Sequence, residues 1–87
     1  MAKKLTTTKR RLIADLLSER CNYGGFPATR VDVKLNEQGD DIIVTPAEDC
    51  DPHTLFCLDE VVDIVRAFGL SLWVGMRDDR IVANIFA

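Results

Sequence analysis

Residues 61–86 read VVDIVRAFGLSLWVGMRDDRIVANIF. The apolar period changes inside this stretch, and that change decides the fold. Val61, Val62, Ile64, Val65 and Phe68 recur at helical spacing, with Asp63 and Arg66 on the solvent side. From Leu70 the period is two. Leu70, Leu72, Val74 and Met76 alternate with Ser71, Trp73, Gly75 and Arg77, as in a half-buried strand. Gly69, which can take positive φ, marks the switch. Asp78-Asp79 is the expected hairpin turn, although it lacks the Asn-Gly or Asp-Gly that favours a tight primed turn. Residues 81–86 form the returning strand. A helix followed directly by a hairpin is thus the unit from which the rest of the chain is read.

Upstream, Asp51-Pro52 is a helix-start signal, an acidic N-cap followed by proline at the first helical position. It predicts a helix from there to about Phe68, with Cys57, Leu58, Val61, Val62, Ile64, Val65 and Phe68 inward. Phe56 falls on the solvent side and breaks the pattern. The same order occurs earlier in the chain. Leu12, Ile13, Leu16 and Leu17 fall within an arc of about 140°, which predicts a helix over residues 8–23. Thr7 or Thr8 is the expected N-cap, and Gly24 or Gly25 with Pro27 the stop. Residues 29–35 alternate strictly, with Val31, Val33 and Leu35 on one face and Arg30, Asp32 and Lys34 on the other. A turn at 36–41 containing Gly39 and a strand over 42–45 complete a first hairpin. Pro46 cannot donate to a ladder, so that strand ends there or lies at an edge.

The order is helix, hairpin, helix, hairpin. Two amphipathic helices need one sheet face to cover their apolar stripes. The expectation is a single α+β domain over residues 1–87, a two-layer sandwich in α-β-β-α-β-β order. It has a four-stranded, mostly antiparallel sheet with two helices on one face. Echoes between residues 13–17 and 61–65, and between 41–44 and 79–82, suggest two related halves.

Composition fits this expectation. The chain has 87 residues, 47% hydrophobic and 29% charged, which excludes a disordered or low-complexity chain. The net charge of −3 conceals an asymmetry. Residues 1–11 hold Lys3, Lys4, Lys9, Arg10 and Arg11 and no acid. The other six bases and all 14 acids lie beyond them, so a basic arm precedes an acidic body. Residues 1–7 are read as a flexible arm. No apolar region follows Leu5 as a secretion signal requires, and the run 67–76 is too short to span a bilayer. Three cysteines, an odd number, argue against a disulfide framework. A cytoplasmic protein with reduced thiols, and no membrane partner, is expected.

Four constellations bear on function. The basic arm can seek backbone phosphates, or it can be a solubilising tail; cations in the first helical turn oppose the macrodipole. The second is the sheet face away from the helices, with Arg30, Asp32, Lys34, Ser71, Trp73, Gly75 and Arg77. Strand four adds Val82, Asn84 and Phe86, or else Ile81, Ala83 and Ile85. Trp73 there is an association anchor, a stacking platform for unpaired bases, or a core residue covered by the arm or the loop after Gly24. The third is Cys50, His53 and Cys57, a weak metal candidate because a structural zinc site takes four ligands, in two local pairs. The fourth is catalysis: one histidine, no phosphate loop and no nucleophile elbow leave no catalytic residues to name. The last strand is apolar on both faces except at Asn84, so a central position or pairing across a dimer is expected.

These features point to a small non-enzymatic interaction module without cofactor. It self-associates or docks a protein partner through the open sheet face, using Trp73, Phe86, Val82, Arg30, Lys34 and Arg77. The alternative is nucleic-acid binding through the arm, with or without that face.

Overall fold

The computed structural model describes residues 6–22, 30–36 and 41–87. Among them the order is α1 (Thr7–Cys21), β1 (Val31–Leu35), β2 (Ile42–Pro46), α2 (Leu58–Ala67), β3 (Ser71–Arg77) and β4 (Arg80–Phe86). This is the expected α-β-β-α-β-β arrangement, an α+β fold with a four-stranded antiparallel sheet. The strand order is β1-β2-β4-β3. The second strands of the two hairpins meet at the centre, with Ile42 opposite Ile85 and Val44 opposite Ala83. The two α-β-β halves therefore occupy equivalent places in the topology. β4 is interior, which resolves its lack of charge; β1 and β3 are the edges.

One sheet face and the two helices enclose the core. Val31, Ile42, Val44, Ala83 and Ile85 meet Ile13 and Leu17 from α1 and Val61, Ile64 and Val65 from α2. Among the described residues no polar residue is buried as a whole, although single polar side-chain atoms are. In α1 the buried stripe is Ile13, Leu17 and Cys21, at steps of four. Leu12, expected inward, is 60% exposed, because one helix row suffices to meet the sheet. Thr6, rather than Thr7 or Thr8, is the N-cap, its hydroxyl accepting from the Lys9 N–H at 3.1 Å. Thr6 and Thr7 thus belong to the helix and its cap. The helix ends at Cys21. Asn22 then ties it to β1: Val31 N–H donates to Asn22 Oδ1 at 3.0 Å, and Asn22 Nδ2 donates to the Val31 carbonyl at 3.3 Å. The expected stop at Gly24 or Gly25, the Gly39 turn, and Lys3 and Lys4 lie outside the described residues.

The start of α2 corrects the sequence reading. Asp51-Pro52 does not open the helix. Asp51 instead caps a tight turn, accepting from the His53 N–H at 2.9 Å and the Thr54 hydroxyl at 2.9 Å. The Pro52 carbonyl, which a helix would bond to residue 56, accepts from the Ile81 N–H at 2.7 Å. Leu55 drops into the core, and the helix begins only at Leu58. Phe56 therefore precedes the helix, and it is 62% exposed. The β3–β4 hairpin is closed by Asp78 and Asp79 at φ 51° and 60°. Both are left-handed, as a primed turn requires, and aspartate tolerates that region better than most residues.

Candidate interaction face

The register fixes which side chains share the open face. Trp73 lies opposite Asn84, Gly75 opposite Val82, and Ser71 opposite Phe86. The open face thus takes Val82, Asn84 and Phe86 from β4, while Ile81, Ala83 and Ile85 turn to the helices. Gly75 matters here for its missing side chain. A Cβ at Gly75 would clash with Trp73 Cζ2 and lie 2.5 Å from Cη2. The six-membered ring of the indole therefore occupies the space over Gly75 that a side chain would fill. The Arg77 guanidinium then stands 5.3 Å from the ring centroid, a cation–π contact. Trp73 is 42% exposed, whereas Val82, across from the glycine, is buried. Trp73 is neither a core residue nor a free-standing aromatic; it is half-covered by its own strand.

Asn84 Nδ2 donates to the Asp41 carboxylate at 3.1 Å. Asn84 Oδ1 is buried without a hydrogen-bond partner among the described residues. Lys34 pairs in register with Ile43, which in turn pairs with Asn84. Lys34 and Trp73 thus share a row but stand three strand spacings apart, about 14 Å. Between β1 and Arg80 lies a shallow depression of about 300 Å³, lined by Asp32, Lys34, Ile43, Thr45 and Glu48. Arg80 reaches across its end, donating to the Pro46 carbonyl at 2.9 Å. Arg30 forms an ion pair with Asp49. The predicted residues therefore separate into two groups. Trp73, Val82, Phe86 and Arg77 gather on β3 and β4, while Arg30 and Lys34 stand at the far edge.

The edge at β3 is the feature that patterning missed. Its helix-facing residues Val74 and Met76 are 39% and 52% exposed, because the helices sit over the rest of the sheet. β3 thus shows apolar surface on both faces along a seven-residue outer edge. Only strand order could reveal this.

Of the basic arm, Lys9, Arg10 and Arg11 are described, and the cysteine–histidine group is not gathered into one site. Arg10 Nη1 donates to the Asn36 carbonyl at 3.1 Å, which anchors α1 to the end of β1. Lys9 and Arg11 are exposed. His53 Nε2 and Asp79 Oδ1 lie 3.0 Å apart, so His53 braces the hairpin turn. The Cys50 thiol points at the Asp49 carboxylate, 3.8 Å away. Cys57 instead lies with Cys21 at a shared cavity in the helix layer. Among the described residues no group of three or more histidine, cysteine or acidic side chains is arranged to hold a metal ion. No described helix is long and apolar enough to cross a membrane. No protein-family model, curated protein or solved structure matches the chain.

Proposed function

We propose that the chain is a small intracellular interaction module that self-associates, joining its open sheet face to that of a second copy along β3. The observation that carries this reading is the outer edge of β3. Exposed edges usually carry prolines or charges that discourage pairing. β3 has neither until Arg77, and Trp73, Val74 and Met76 are all exposed. An antiparallel pairing about a twofold axis at Val74 is self-complementary. It sets Trp73 against Gly75 of the second copy and Leu72 against Met76. Arg77 meets Ser71, so no like charges face each other. Val74 and Met76, left uncovered by the helices, gain neighbours. Phe86, half-buried, extends the apolar strip inward from the joint, while Val82 lies buried beneath it. The net charge of −3 per chain opposes association only weakly at physiological salt. The free thiols suit a reducing compartment.

Sedimentation equilibrium over a range of concentrations tests the proposal. The expected result is a dimer that Val74→Lys converts to monomer, with the circular dichroism spectrum retained. A wild-type chain that stays monomeric at the highest concentration would sink it, and a dimer indifferent to Val74→Lys would place the joint elsewhere. The basic arm offers less support for nucleic-acid binding, since Arg10 is engaged in packing. Salt-sensitive oligonucleotide binding lost on neutralising Lys9 and Arg11 would reverse that preference.

A further inference from the structure

The helix layer, remote from the open sheet face, holds the second feature with chemical content. Cys21 is the last residue of α1 and Cys57 is the N-cap of α2. The fold brings them together although 36 positions separate them in the chain. Both are largely buried and belong to one core cluster. Both also line one cavity of about 180 Å³, open to solvent and completed by Arg20, Phe56 and Glu60. Cys50 is not part of that cavity. Two cysteines from separate helices, lining one recess that solvent enters, form a dithiol within reach of a small reagent.

We propose that Cys21 and Cys57 form a redox-active dithiol that low-molecular-weight disulfides convert to an intramolecular disulfide. Cys57 is the attacking sulfur. The hydrogen bond from Cys21 and its own backbone N–H hold the Cys57 thiol below its ordinary value, against the opposing effect of burial. Cys21 is pushed well up by the same contact and by burial, so it keeps its proton until the second step. The Cys57 thiolate attacks one sulfur of the reagent, forms a mixed disulfide and expels the first thiolate. The Cys21 sulfur, losing its proton, then attacks Cys57 and expels the second. The protein loses two electrons and two protons; the reagent disulfide gains both and leaves as two thiols. The new bond staples the end of α1 to the start of α2 and constrains the unfolded chain.

Incubation of the full chain with glutathione disulfide, followed by intact mass and peptide mapping, tests this. The expected product has lost two hydrogens and yields a linked Cys21–Cys57 peptide, in Cys50→Ser as in the wild type. Its thermal midpoint should rise by several degrees and return on reduction with dithiothreitol. In Cys21→Ala, a glutathione adduct should accumulate on Cys57. An adduct confined to Cys50, or a Cys21–Cys57 link formed only in the denatured chain, would overturn the proposal.

Discussion

The fit of Trp73 depends on what Gly75 lacks. The indole occupies the space a side chain would fill, and Arg77 stacks beside it. Gly75→Ala must therefore lift the ring. The effect on stability is small because two terms of about 0.5–1 kcal/mol oppose each other: alanine suits a strand interior better than glycine, and the cation–π contact is lost. The emission spectrum is the sensitive readout. A red shift and stronger acrylamide quenching are expected, whereas an unchanged spectrum would mean the indole does not lie on Gly75. The periodicity placed Trp73 on the open face correctly. It could not show how the ring lies, because that depends on a neighbour two positions along the same strand.

At the scale of elements, the segment before α2 shows how a strong local signal is overridden. Asp51-Pro52 has the chemistry of a helix start, and Asp51 does cap, but it caps a turn. The long-range bond from Ile81 to Pro52 and the burial of Leu55 hold residues 52–57 out of the helix. The Asp51 carboxyl is held below its ordinary value, first by the His53 backbone N–H and then by the Thr54 hydroxyl. A depressed folded-state value means stability that is present above the unfolded-state value of about 3.9 and is lost as pH falls through the folded one. Asp51→Ala should thus lower the urea midpoint at neutral pH, and the two proteins should converge in strong acid. Equal separation at both pH values would show that the charge on Asp51 contributes nothing. The same turn positions His53 against Asp79, which steadies a hairpin whose two turn residues are both left-handed.

At the scale of the whole molecule, two helices cover one face of a four-stranded sheet but leave the β3 side thinly covered. If a second copy completes that side, stability depends on concentration. Each tenfold increase in protein then adds about 1.4 kcal/mol of apparent stability per mole of dimer. The thermal midpoint of the wild type should climb accordingly in scanning calorimetry, and that of Val74→Lys should not move; a wild-type midpoint independent of concentration would argue for a monomer. The sequence by itself determined the fold class, the element order and how the residues of β1 and β3 divide between the two faces. Those follow from local periodicity, which repeats every two residues in a strand and about every 3.6 in a helix. Which set of β4 residues turns outward came from the register. Tertiary structure alone decided the rest. It made β4 central and β3 an edge, because the pairing of β2 with β4 joins segments about forty residues apart and leaves no mark on local pattern. It delayed α2 to Leu58 through a bond reaching from Pro52 to Ile81. It set His53 beside Asp79 and brought Cys57 and Cys21 to one cavity, because the contact between two helices depends on where the sheet holds them.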